Sequence, residues 1–142
     1  MTSRGIRNNN PGNIRKGSRW RGLAHWSDMT VAQKNEKSFC VFICPIYGIR
    51  ALCRVLTTYQ KRYELKTVHQ IISRYAPSSE NNTKSYSSHV AHKLGLHSEH
   101  DEIDVTDPET MRALVESIIY HENGDNPYTH EVDDGMLLAG IK

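Results

Sequence analysis

The chain has 142 residues, 37% of them hydrophobic and 24% charged, with a formal net charge of +2. That is one domain's worth of sequence, long enough to bury a core without disulfide staples and too apolar to be intrinsically disordered. No apolar run approaches the ~20 residues needed to cross a bilayer, and the polar, basic stretch from Met1 to Asn10 is not a secretory signal. Residues 5–13, with Gly5, Pro11, Gly12 and four asparagines, read as a structured loop, because Asn and Gly tolerate turn conformations. From Ile14 to Pro45 the periodicity is poor, but Ser38 to Cys44 is a β-type run, and a short hairpin is expected across this region. Pro45 opens a helix through about Tyr63, with Leu52, Val55, Leu56, Tyr59 and Tyr63 as its apolar stripe. Thr67 caps a second helix that turns Val68, Ile71, Ile72 and Tyr75 inward and ends at Ala76-Pro77. After a polar loop at 78–82, Thr83 or a neighbour caps a third helix carrying Tyr86, Val90 and Leu94, closed by Gly95 and Leu96. An acidic connector from Glu99 to Asp104 leads to the last long helix, capped by Thr106 or Asp107, with Pro108 near its first position. Met136 to Ile141 adds one more short helical turn. The expected fold is mainly α, with four or five helices and a small hairpin, in a single domain spanning 1–142.

Glu122 stands out on the last long helix. Met111, Leu114, Val115, Ile118 and Ile119 recur at helical spacing, and Glu122 continues their face one residue before Asn123-Gly124 stops the helix. A carboxyl group on an apolar face holds its proton more tightly than one in water. A general acid for glycosidic bond cleavage needs that property. The plain alternative is a helix-end glutamate that turns out to solvent.

Charge is unevenly divided. Residues 1–66 carry 13 Lys/Arg against 3 Asp/Glu, whereas residues 67–142 carry 5 against 13. The basic half suits a polyanion, or the two halves dock onto each other. Arg4, Arg7, Arg15, Lys16, Arg19 and Arg21 interleave with Trp20 and Trp26, a combination that contacts phosphates and stacks on bases. The near-neutral total and the acidic second half weigh against nucleic acid. Cys40, Cys44 and Cys53 form neither a disulfide framework nor a zinc pattern, and read as small buried thiols of a protein made in a reducing cytoplasm. Of eight histidines, His89, His92, His97 and His100 cluster in sequence, but no motif aligns them into a ligand set, so no metal and no cofactor are expected. His121-Glu122 lacks the second histidine of a zinc-protease helix. No nucleophile elbow, P-loop or dinucleotide fingerprint is present.

Several motifs carry a resemblance. Arg4-Gly5-Ile6-Arg7-Asn8-Asn9-Asn10-Pro11-Gly12-Asn13-Ile14-Arg15 resembles the opening of a group of small bacteriophage and prophage proteins, some of them virion proteins. As in those proteins, it is followed by Trp-x-Gly-Leu (Trp20 to Leu23), Phe-x-x-Phe leading into Pro-x-Tyr-Gly-Ile-Arg-Ala-Leu (Phe39 to Leu52), Tyr-Ala-Pro and Thr-x-x-Tyr (Tyr75 to Tyr86), and His-Glu-Asn-Gly (His121 to Gly124). A second resemblance concerns mechanism. Asn10 to Arg15 is similar to the Asn-x-x-Gly-Ile-Lys element of bacterial cell-wall glucosaminidases and lysozyme-like transglycosylases. In those enzymes the catalytic helix precedes that element. Here the segment similar to the catalytic helix, Ala113 to Gly124, comes last, and Asn123 stands where the family has serine. The resemblance therefore implies a circularly permuted lysozyme-like domain, which exposed and neighbouring chain ends permit.

It also implies chemistry on peptidoglycan. Glu122 would act as general acid and then general base on a β-1,4 bond between amino sugars. Glu80 is a candidate second carboxylate, with Asp125 and Asp28 as others. Many lysozyme-like transglycosylases instead let the sugar's own 6-hydroxyl attack. Asn10 and Asn13 are candidates to bind the sugar amides, and Tyr75, Tyr86 and Tyr128 to line the cleft. Peptidoglycan glycan strands are the expected partner, with virion proteins as further partners and no membrane. Delivery to the cell wall is expected by lysis or within a virion. The rivals are a non-catalytic phage structural or adaptor protein and a basic nucleic-acid-binding module.

Overall fold

The computed structural model describes residues 2–77 and 82–142. Among them are seven α-helices, α1 (Arg4–Arg7), α2 (Val31–Lys34), α3 (Pro45–Tyr63), α4 (Val68–Tyr75), α5 (Asn82–Lys93), α6 (Pro108–Asn123) and α7 (His130–Leu138), plus a 3-10 turn at Trp26–Asp28. The fold is mainly α, as the sequence predicts. The boundaries follow local chemistry. Pro45 starts α3, where a missing N–H costs nothing. Thr67 and Gln70 form a reciprocal capping box on α4. The Asp107 carboxylate accepts from the Thr110 N–H at 3.0 Å to cap α6, and Gly124 ends that helix at φ 73°.

Two short helices escaped the periodicity, because four residues are too few to show a stripe. Ser3 caps α1, and Thr30 with Gln33 forms a capping box on α2. The last helix also begins earlier than Met136, at His130.

The expected hairpin is corrected. Segment 38–43 forms no regular ladder, only isolated antiparallel bridges from Phe39 to Arg15 and from Phe42 to Leu23. It is pinned on both sides instead. The Cys40 N–H donates to the Ile14 carbonyl and the Lys16 N–H to the Ser38 carbonyl, while the Ala24 and Ile43 N–H groups pair with the Val41 and Gly22 carbonyls. Gly17 and Gly22, both at positive φ, bend the intervening chain away from a continuous strand.

One apolar cluster gathers residues from Ile14 to Ile141. Met111, Leu114, Val115, Ile118 and Ile119 of α6 are all at 0% exposure, each worth about 1.5–3 kcal/mol of burial. Helix α3 packs along α7, α4 against α5, and α5 and α7 against α6. The α3–α7 approach requires Gly135, where an added Cβ would lie 2.6 Å from Ile49 Cγ2. The basic and acidic halves thus dock, as one alternative expected, but through apolar packing and hydrogen bonds rather than charge pairing. Among the described residues every ion pair joins partners within one half. Cys40 and Cys53 are buried free thiols, and burial pushes the Cys53 thiol up to about 12. Among the described residues no helix is long and apolar enough to cross a membrane.

Candidate active site around Glu122

The loop at residues 8–13 is built to meet the C-terminal end of α6. Asn9 and Asn13 both adopt left-handed backbone, at φ 54° and 52°, a conformation asparagine tolerates better than most residues. The loop is braced from within by Asn10, which is 0% exposed. Its amide nitrogen donates to the Ile14 and Cys40 carbonyls and its oxygen accepts from the Ile14 N–H, each at 3.0 Å. Asn10 is therefore a structural pin. Its expected role as a sugar ligand is corrected, since the side chain is fully buried and both of its amide N–H groups are spent on the loop.

The C-terminal end of α6 docks on this loop. Asn123 Nδ2 donates to the Pro11 carbonyl at 2.8 Å, and Ser3 Oγ donates to Asn123 Oδ1 at 2.6 Å. Gly5 faces the same amide: an added Cβ would lie 2.5 Å from Asn123 Oδ1. Asn123 thus serves as the clasp between the N-terminal segment and the end of α6.

Beside that clasp, Glu122 is half-buried. Asn13 Nδ2 donates to Glu122 Oε1 at 3.0 Å, and the Tyr86 hydroxyl donates to Oε2 at 3.1 Å. Burial, reinforced by the neighbouring Glu122 charge, raises the Tyr86 phenol far above its usual value, so it remains a neutral donor. The His121 ring stacks on Tyr86 with centroids 3.7 Å apart. Desolvation lowers the His121 pKa, outweighing the pull of Glu122, and His89 lowers it further. Tyr75 donates its hydroxyl to the Gly12 carbonyl, and burial likewise keeps that phenol protonated. A carboxylate oxygen can accept two hydrogen bonds, and among the described residues each Glu122 oxygen has one protein donor. One position on each oxygen is thus left for a substrate or water proton.

Two clefts flank this group. One, of about 320 Å³, is lined by Asn13, Arg15, Tyr59, Arg74 and Tyr75 among others. The other, of about 560 Å³, lies between α5 and α6, with His89, His92, Lys93, Tyr120 and His121 in its wall. Both carry cationic side chains.

The structure therefore brings together Glu122, Asn13 and Tyr86, with Tyr75 tied to the same loop. It does not bring in Tyr128, which is 9% exposed and belongs to the apolar core. That aromatic is corrected from cleft lining to packing. Asp125 and Asp28 are exposed. Glu80 lies outside the described residues. Among the described residues, the group able to hold a metal ion is His69, Glu99 and His100, well away in sequence from Glu122.

The chain is 40% identical over 133 residues to Protein P5 of Pseudoalteromonas phage PM2, covering 91% of this chain and 76% of that protein. The chain belongs to the Protein P5 family. This kinship makes it a phage-associated protein. No protein-family model matches it.

Sequence reasoning missed a second carboxylate, Glu36, which is 4% exposed. Arg4 grips it with a bidentate pair at 2.8 and 2.7 Å, and Arg7 adds a contact at 2.7 Å. Asn8 and the Ser38 and Phe39 N–H groups, each at 3.0 Å, complete the cage. Its signal was available: Glu36 is one of only three acids in a strongly basic half. This cage uses Arg4 and Arg7 internally, and so removes two of the cations that motivated a nucleic-acid surface.

Proposed function

We propose that this phage-associated protein cleaves the glycan strands of peptidoglycan, with Glu122 as general acid and then general base. One observation carries the proposal. Asn13 and Glu122, 109 positions apart, meet in a hydrogen bond of 3.0 Å. Their segments are the two that resemble the adjoining turn and catalytic helix of lysozyme-like enzymes, and a circular permutation would separate them in sequence while keeping them together in space.

The chemistry follows from the lone pairs. Protonated Glu122 gives its proton to the glycosidic oxygen as the C1–O bond breaks. The resulting carboxylate then accepts a proton from whichever oxygen attacks C1. If water attacks, the product has a reducing end. If the sugar's own 6-hydroxyl attacks, the product is a 1,6-anhydro sugar and no water is consumed. Asn13 and Tyr86 hold the carboxyl group in one orientation throughout, so little reorganisation accompanies proton transfer. Arg15 and Arg74, on the wall of the adjacent cleft, suit the lactyl and peptide carboxylates of the wall polymer. Action at the cell wall, after lysis or from a virion, follows from this substrate.

One observation favours a second function, a non-catalytic virion protein on the same scaffold. Both Glu122 oxygens are bound by protein groups, an arrangement that also ties α6 to α5 and to the N-terminal loop. Mass spectrometry of soluble products from purified peptidoglycan separates the two. Release of muropeptides by the wild type supports the enzyme, and the product ends assign hydrolysis or transglycosylation. A folded wild type that releases nothing from several wall chemotypes supports the virion protein.

A further inference from the structure

A different cluster lies where three segments meet: the start of α4, the 98–103 connector and the middle of α5. The connector runs antiparallel to residues 66–69. The His69 N–H donates to the Glu99 carbonyl at 2.8 Å, the Ile103 N–H donates to the Lys66 carbonyl at 2.8 Å, and Thr67 bridges Glu102. This pairing sets His69 directly beside Glu99 and His100. His69 Nδ1 is 2.9 Å from Glu99 Oε1, and the His69 and His100 rings have centroids 4.8 Å apart. One ligand atom from each of the three residues lies within 4.8 Å of the others. The spacing of the histidines in sequence could not reveal this set, because the decisive histidine comes 30 positions before its carboxylate partner.

The geometry points to a site for a divalent transition-metal ion, zinc being the best match, held by His69, Glu99 and His100. Two imidazoles and one carboxylate are the donor types zinc takes, and three protein ligands leave a fourth position for water. Ligand atoms at ~2.0–2.2 Å from a tetrahedral zinc lie roughly 3.3–3.6 Å apart. His69 Nδ1 and Glu99 Oε1, now hydrogen-bonded at 2.9 Å, need to part by only about half an ångström to admit the ion, and an exposed His100 side chain has the freedom to close the remainder. The carboxylate is oriented from behind, as metal-binding carboxylates commonly are. Ser87, at 0% exposure, donates its hydroxyl to Glu99 Oε1 at 2.6 Å, and Ser88 donates to Oε2 at 3.0 Å. A fully buried hydroxyl aimed at a carboxylate beside two imidazoles is a supported site rather than a chance meeting of surface side chains. A cleft of about 380 Å³, with His97, Glu99 and His100 in its wall, gives solvent access. Bound metal would clamp α4 to the connector, with α5 joined through the Ser87 and Ser88 bonds to Glu99, some distance in sequence from Glu122.

The test is calorimetric titration of zinc chloride into the full chain, beside His100→Ala, His69→Gln and a control, His25→Ala. We expect one ion per wild-type chain and an unchanged control. His100→Ala should lose at least ~10-fold in affinity. Cobalt should give the visible bands of a tetrahedral nitrogen and oxygen site in the wild type and lose them in both site variants. Because His100 is exposed, its variant folds, and melting temperature without metal verifies this. Equal zinc affinity and equal cobalt spectra for wild type and His100→Ala would overturn the assignment, as would the absence of stoichiometric binding.

Discussion

Two carboxylates are gripped by the same N-terminal segment, and they are gripped differently. Glu36 receives six donors, two of its partners being arginines, and its side chain is sealed from water. Among the described residues Glu122 receives two donors, an amide and a phenol, both neutral, and it is half-buried. The first arrangement saturates the lone pairs and fixes a charge, which holds a fold together. The second orients a carboxyl group while leaving room for a proton to come and go. The contrast separates an acid fixed as a charge from one held by neutral donors, which is the property the proposed chemistry needs.

Four substitutions sharpen that contrast, beginning with the strongest. Glu36→Gln should cost roughly 3 kcal/mol, toward the lower end for a broken buried pair because both arginines keep partial contact with water. A urea midpoint within error of wild type would contradict the structural role. Gly5→Ala forces a Cβ against the Asn123 clasp and should cost roughly 2 kcal/mol, with glycan cleavage falling in step as α6 shifts. An alanine variant of full stability and activity would show that the clasp is slack. Asn13→Gly keeps the left-handed backbone and removes only the side chain. It should cost about 1.5 kcal/mol and reduce cleavage about tenfold. If only stability falls, Asn13 is a tie and nothing more. Tyr86→Phe is the mildest, at about 1 kcal/mol, with the pH profile of cleavage displaced because the donor to Oε2 is gone. An unmoved profile would remove Tyr86 from the site.

Acid sharpens the comparison further. Arg4, then Asn8 and the Phe39 and Ser38 N–H groups, hold the Glu36 carboxyl far below its ordinary range despite burial. In the unfolded chain a glutamate titrates near ~4.3. Glu36 therefore contributes its full stabilisation above that pH, and the contribution drains away as pH falls below it toward the folded-state value. Wild-type urea midpoints should drop between pH 5 and pH 3, and Glu36→Gln should show a visibly shallower drop. Parallel slopes would mean that other acids govern acid unfolding.

What the sequence made legible tracks how local the cause was. Helices α3, α4 and α6 announce themselves through Pro45, the Thr67 capping box and the Asp107-Pro108 start, all of which act within one turn. Glu122 was visible because it continues an apolar face. Its partners Asn13 and Tyr86 read in the sequence as sugar ligand and cleft aromatic, whereas in the fold they hold Glu122 itself. The roles of Asn10 and Tyr128 are not distinguishable in the sequence, because an asparagine that braces a loop, or a tyrosine that fills a core, has the same local sequence as one that binds a ligand. The Glu36 cage and the His69–Glu99–His100 group depend on segments some 30 positions apart meeting in space, which no local pattern encodes.

The most direct test of the central claim is muropeptide release by Glu122→Gln beside wild type, with melting temperature measured on both. If Glu122 is the general acid, the variant folds and its release falls by about 10²–10⁴-fold. A folded variant that releases muropeptides as wild type does would contradict it and move the chemistry away from Glu122.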